Sequence, residues 1–513
     1  MFSRKTRKNR IIIPVALVAS AGAAVANAAT IVWNGNGGDL NWNTLTNWST
    51  GALPSDIAQF QENGYNSGDT VTVATDQTVN RLAFNFSSTN AASKDLTLTG
   101  APITLTGLAA NSNGFNRANT VSGIQTINNN IVLGGSQKWN IAGNTSAPGG
   151  VGRLIVNGVI GETAGGSKDL TKDGNTNLEL NGNNTFTGLT TIIQNTIVVG
   201  NANALGLGTS AVLVGDTAVN TSQSNLVTKT GVTFARDVEV RSGQTGGSRL
   251  GGADGLGLTT WTGTISIEKD VIVTGGLGVA TGTADFRGNL VDGANSFVSS
   301  NVTKQNGGVV KLSGTANTYS GTTTINAGTL LVNGVLSNND AAVTATNTAR
   351  LGGLGTINRP VYIAGGATLS PGDGGAGVLT VGGGKTLTLD DGAVLEWDAG
   401  ATPAASDQVV ASAVSFGAGA TLKILSNPNL PDTNASYVLL SWTGDDPATL
   451  ANWTVDPSSA WTGSISYVNA ADGLPGGEVV LSNAAAVQAP EPSTCASLAA
   501  VMSLVVLRRR RKR

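Results

Sequence analysis

An all-β body wound as an elongated parallel solenoid is the fold the sequence predicts, and three observations predict it. The 513-residue chain holds 70 glycines yet is poor in charged and aromatic residues, at 12% and 5%. A chain of that make-up either stays disordered or forms many short strands between tight turns. The second observation decides for strands. Apolar and polar residues alternate in Leu96-Thr97-Leu98-Thr99-Gly100, Ile103-Thr104-Leu105-Thr106-Gly107, Leu154-Ile155-Val156-Asn157-Gly158, Leu178-Glu179-Leu180-Asn181-Gly182 and Leu387-Thr388-Leu389, and most of these runs close on Gly or Asn-Gly. Period two with β-branched residues reads as strand, and no 3.6-residue amphipathic pattern stands out in residues 30–489. The third observation is internal repetition, which marks stacked coils.

The repeated block begins at Leu170-Thr171-Lys172. It runs through Leu178-Glu179-Leu180-Asn181-Gly182, Asn184-Thr185-Phe186-Thr187-Gly188 and Thr190-Thr191-Ile192 to Thr196-Ile197-Val198-Val199. A second copy begins at Val302-Thr303-Lys304. It runs through Val310-Lys311-Leu312-Ser313-Gly314, Asn317-Thr318-Tyr319-Ser320-Gly321 and Thr323-Thr324-Ile325 to Gly328-Thr329-Leu330-Leu331-Val332, with one extra residue. Each copy places three short strands in about 30 residues, with Gly or Asn-Gly at corners that need positive φ.

This block resembles the autotransporter-associated β-strand repeat, whose pattern runs close to L-T-K-x-G-x-G-x-L-x-L-S-G-x-N-T-Y-x-G-x-T-x-V. The first copy departs from it where Asn175, Thr176 and Asn177 replace a glycine, and where Gln194-Asn195 replace a late one. A degenerate third stretch runs from Gly353 through Gly355-Thr356-Ile357, Ala367-Thr368-Leu369-Ser370-Pro371-Gly372 and Val378-Leu379-Thr380-Val381 to Leu395-Glu396-Trp397. The resemblance implies a right-handed parallel β-solenoid with capped ends. Like residues stacked at ~4.8 Å would then satisfy amides and bury rings. Asn184 with Asn317 and Phe186 with Tyr319 are the ladder candidates, with intervening coils between them. At roughly 20 to 25 residues per coil, about 370 residues would give about 16 coils and a rod near 75 Å.

Open solenoid ends need caps. Residues 29–65 supply Trp33, Trp42 and Trp48 within sixteen residues. These indoles are read as a plug for the first coil, with stacking on sugar rings as the alternative. Residues 66–400 form the solenoid. Residues 401–483 change texture, with Trp442, Trp453 and Trp461 and longer strands, and fit either a small C-terminal β domain or irregular last coils. Residues 484–489 are read as a linker.

The two ends carry export signals. Arg4, Lys5, Arg7, Lys8 and Arg10 precede an apolar stretch over 11–25, and Ala26-Asn27-Ala28 fits small-x-small cleavage, so residues 1–28 read as a signal peptide. At the other end stands Pro490-Glu491-Pro492, then an apolar run over 496–507, then Arg508, Arg509, Arg510, Arg511, Lys512 and Arg513. Six positive charges resist translocation, and the apolar run is short for a ~30 Å hydrocarbon core. This arrangement resembles the PEP-CTERM sorting signal of Gram-negative bacteria. The resemblance implies an exosortase-type sorting enzyme as partner and transient anchoring in the inner membrane as a transmembrane segment.

Charge and residue choice exclude other classes. Of 30 Lys+Arg, five lie in the leader and six in the tail, and only one of 32 Asp+Glu lies outside the body, which is left at a formal −12. Nucleic acid and anionic membranes call for a basic face instead. The chain has no histidine, and its one cysteine, Cys495, lies in the tail. Ser-His-Asp triads, Cys-His pairs, usual zinc sites and intrachain disulfides are therefore absent. Gly251-Gly252-Ala253-Asp254-Gly255 and Gly382-Gly383-Gly384-Lys385-Thr386 fail the spacing of a calcium repeat and of a phosphate loop, and no cofactor is expected. Asp390-Asp391-Gly392 reads as a turn. Glu396 and Asp398 share a strand face at about 6.8 Å, a spacing that overlaps glycosidase geometry, although a solvated strand face explains them equally.

The sequence thus predicts a non-enzymatic structural or adhesive protein at the cell surface or in an exopolysaccharide matrix. A polysaccharide lyase or glycoside hydrolase on a β-solenoid is the alternative.

Overall fold

The computed structural model describes residues 28–85, 94–107, 113–118, 123–143, 152–278, 281–295, 299–337, 339–400, 402–425, 434–448, 450–459, 461–469 and 476–486. The sorting motif with its basic stop, Cys495 and nearly all of the leader lie outside these residues.

The chain winds as a β-solenoid whose coils visit three sides in turn. Side one stacks strands from Thr30–Trp33 to Leu290–Asp292 in parallel. It continues through Asn317, bridged to Leu336, into Thr356–Ile357 and the start of Val378–Leu389. Side two runs unbroken from Asp69–Val73 to Tyr437–Trp442. Those sixteen parallel strands give a stack of about 72 Å. Side three holds Gln77–Val79 to Ile160–Glu162 and then Thr233–Phe234 to Asn452–Val455. Between them Thr185 donates to the Ile160 carbonyl and Leu207 to that of Phe186, so irregular backbone carries the side across the gap.

Period two in sequence becomes inside and outside here. In Leu96–Gly100 the leucines point inward and the threonines outward; in Gln137–Ile141 the inward positions are Gln137, Trp139 and Ile141 and the outward ones Lys138 and Asn140. The interior is one continuous core from Trp33 to Leu481. Aromatic rings stack along its axis: Phe60 on Phe84 at 5.5 Å, Phe84 on Phe115 at 5.5 Å and Phe115 on Trp139 at 5.6 Å. A second column joins Phe234, Trp261 and Phe286.

The two repeat copies do not sit alike. Leu170–Asp173 lies on side one and Leu178–Leu180 on side two, whereas Val302–Lys304 lies on side two and Val309–Leu312 on side three. The block has moved on by one side. Asn184 and Asn317 therefore belong to different sides, as do Phe186 and Tyr319, and neither pair shares a ladder. Coil length sets this. A coil takes 33 residues from Trp139 to Lys172 but 20 from Lys172 to Ile192, so sequence distance alone does not fix the side.

The late-glycine position explains one departure from the repeat pattern. Gly328 has φ 70° and its counterpart Asn195 has φ 61°. Asparagine is among the few residues that enter the left-handed region readily, so the corner is kept.

At the C-terminal end, strands Gln408–Phe416, Gly419–Leu425, Tyr437–Trp442 and Asn452–Val455 still pair in parallel with the coils. The winding ends in an antiparallel hairpin of Trp461–Asn469 and Gly477–Ala486, the latter strand laid antiparallel on Tyr437–Trp442. Residues 484–486, read from sequence as the start of a linker, are the end of that strand. Ala485 pairs with Thr462 and Ala486 with Trp461, because backbone pairing needs no side-chain pattern.

Candidate functional surfaces

The N-terminal indoles are turned inward. Trp33, Trp42 and Trp48 are 1%, 0% and 1% exposed. Trp48 meets Trp33 and Trp42 edge-on at 5.1 and 4.8 Å, and all three pack on Phe60. Their ring nitrogens donate to the Gly64 carbonyl, Gln77 Oε1 and the Trp42 carbonyl. Every part of each indole is engaged, so no ring face is open for a sugar; the cluster packs as a plug on the first coil.

Corners inside the stack are fixed by buried polar side chains. Asn184 Oδ1 accepts from the Ile160 amide at 2.7 Å and its Nδ2 donates to the Ala204 carbonyl. Asn317 does the same between the Leu290 amide and the carbonyls of Gly314 and Val335. Each amide replaces strand pairing where the chain is not a strand, satisfying backbone groups that would otherwise be orphaned. The real surface amide ladder lies elsewhere. Asn181 donates to Asn157 and Asn157 to Asn128, both at 2.8 Å.

Side two offers a long uncharged strip. Thr303, Thr324, Thr344, Tyr362 and Thr388 stand in register on successive coils, each at an outward position. Hydroxyls spaced at the strand interval of ~4.8 Å form a regular array.

Side three carries the residues singled out for chemistry. Glu396 and Asp398 both lie on Ala393–Asp398, as the spacing implied. Their environments differ. Glu396 is buried between Arg350, with which it is ion-paired, and Lys423 at 3.1 Å. Asp398 lines a groove of about 380 Å³, and among the described residues no hydrogen bond or ion pair closes on its carboxylate. Burial raises its pKa, the charge of Arg350 opposes that, and Glu396 adds to it.

The loop at 371–377 forms one wall of this groove. Asp373 pairs with Lys311 at 2.6 Å and accepts from Asn333 at 2.9 Å. Gly372 and Gly353 exchange backbone hydrogen bonds. Asp407 ties the base of the loop by accepting from Gly377 N at 2.7 Å and Asp398 N at 2.8 Å. Sequence reading found Glu396 and Asp398 but missed Lys311, Arg350 and Asp373, which only the coil register brings together.

Asp390-Asp391-Gly392 is a turn, with Gly392 at φ 75°. Among the described residues no group of His, Cys, Asp and Glu is arranged to hold a metal ion, and no helix is long and apolar enough to cross a membrane.

Residues 170–195 and 302–332 match the passenger-associated-transport-repeat model. These are passenger-type repeats. The match supports autotransporter-associated repeats in these two stretches of the chain. No curated protein matches the chain.

Proposed function

We propose that this protein is an exported structural rod that adheres to exopolysaccharide at the cell surface or in the surrounding matrix. The observation that carries this reading is the joining of passenger-type repeats to an unbroken parallel stack. The uncharged hydroxyl strip on side two supports it, because a neutral polysaccharide presents hydroxyls that donate and accept in turn. In this reading the leader ends at Ala26-Asn27-Ala28, and Pro490, Glu491 and Pro492 with the basic stop hand the chain to an exosortase-type enzyme after transient anchoring in the inner membrane.

Cell fractionation with mass measurement tests it. A mature species that starts near residue 29, ends near residue 490 and lies outside the cytoplasm is expected; a full-length cytoplasmic species would overturn the reading. A glycan-cleaving alternative has one observation in its favour, the raised pKa of Asp398 in a groove. Glu396 weighs against that alternative, being held by two cations. Incubation with a polysaccharide panel is expected to release no reducing ends or unsaturated products.

A further inference from the structure

We infer that the groove on side three is a binding site for a short segment of neutral glycan. This inference rests on the surface-rod reading above and gives its partner a place on the molecule.

The groove is a consequence of register. Outward positions on side three run Asp285, Lys311, Leu331, Gly352 and Ser370 on successive coils. Long side chains stand at Lys311, and the direction continues toward Glu396 and Lys423. Between them Ser370 presents only a small side chain, beside Thr329 and Leu331, and a trough is left. Gly352 lies under this lining and lets the next coil approach, since a Cβ there would stand 2.0 Å from the Ser370 carbonyl oxygen.

The lining has the chemistry of a sugar site. Val309, Leu331, Pro371 and Leu425 give apolar surface, and Thr283 and Thr329 give hydroxyls. Sugar rings offer apolar C–H faces to the former and hydroxyls to the latter. The charges on the walls balance: Lys311 faces Asp373, while Arg350 is held by Glu396 and donates to Ser370 Oγ at 2.6 Å. A charged ligand would have to break these pairs. A neutral one uses the free Asp398 carboxylate as acceptor, and a hydrogen bond to a charged group is the stronger kind.

Peptide is the less suited occupant. The strands flanking the groove already pair on both edges, from Val309–Leu312 through Thr368–Pro371, so no edge is free to add a strand.

Retention of the full-length protein on immobilised neutral polysaccharides (dextran, mannan, galactan and β-glucan) and on anionic alginate and pectate tests the inference. Asp398→Asn removes the acceptor charge, and Thr329→Trp fills the trough without touching an ion pair. Thr78→Trp, exposed on the first strand of side three and outside both the groove and the hydroxyl strip, is the control. The wild type is expected to be retained by at least one neutral matrix. Asp398→Asn should bind about tenfold more weakly, the loss of one hydrogen bond to a charged group, and Thr329→Trp at least as weakly because it occupies the trough; both should keep circular dichroism and melting unchanged, and the control should bind as the wild type. Equal binding by all variants would overturn the groove while leaving the surface-rod reading in place. Preference for the anionic matrices, or displacement of bound glycan by neutral peptide, would overturn the neutral-glycan assignment. Absence of binding to every matrix would remove the groove and the polysaccharide partner together.

Discussion

Lys172 and Lys304 do the same work on different sides of the rod. Each is the lysine of a repeat, each is fully buried, and each ammonium joins its own corner to the next coil. Lys172 Nζ donates to Gly174 O at 2.6 Å and to Gln194 O at 2.8 Å; Lys304 Nζ donates to Asn306 O at 2.7 Å and to Ala327 O at 3.0 Å. Gln194 and Ala327 are equivalent in the two copies. Burial pushes the two lysines down to about 7 and about 8. The ring of carbonyls is what the ammonium gains in exchange.

Replacing Lys304 by Met leaves buried carbonyls without donors, and we expect a cost of about 3 kcal/mol. The loss should be local, because each coil of a solenoid contacts only its neighbours. Hydrogen exchange should quicken over residues 302–332 first.

Asn317→Ala should cost about 2–3 kcal/mol, since it removes one acceptor and leaves two carbonyls short of a donor. Asn317→Asp should be worse. It keeps the acceptor for the Leu290 amide but turns a carboxylate oxygen toward the carbonyls of Gly314 and Val335. Denaturant midpoints of the two variants check the order.

Asp407 gives the C-terminal coils a pH dependence. Burial raises its carboxyl from 3.8 to about 7. Between about pH 4 and pH 7 the folded protein keeps a proton that the unfolded chain has released, so stability falls as pH rises through this window and is greatest below it. Limited proteolysis at the 371–377 loop should quicken across that range. Asp407→Asn should lose much of the dependence.

Trp42→Ala should open a cavity in the N-terminal plug and cost about 3–5 kcal/mol. Melting temperature should drop while retention on polysaccharide stays unchanged. A loss of glycan binding at unchanged melting would assign the indoles to recognition instead.

Much of the fold was legible because strands, corners and repeats each leave a local mark. Leu96-Thr97-Leu98-Thr99-Gly100 is a strand in sequence and in space, and three close tryptophans marked a plug. What was hidden is everything that depends on coil length. Asn184 and Asn317 looked like rungs of one ladder until coils of unequal length put them on different sides. The groove was hidden for the same reason, since Lys311 and Asp373 meet across 62 residues. Gly352 reads as one glycine among 70 until its register beside Leu331 and Ser370 is known. Asn195 could have been anticipated, because few residues other than glycine and asparagine tolerate its backbone angle.

The repeat block's indifference to which side it starts on couples growth to aim. One block covers five successive sides, so a duplicated copy would both extend the shaft and swing everything downstream by about a third of a turn about the long axis. Descendants with one more or one fewer block would point the side-three trough in a new compass direction relative to the indole-plugged end.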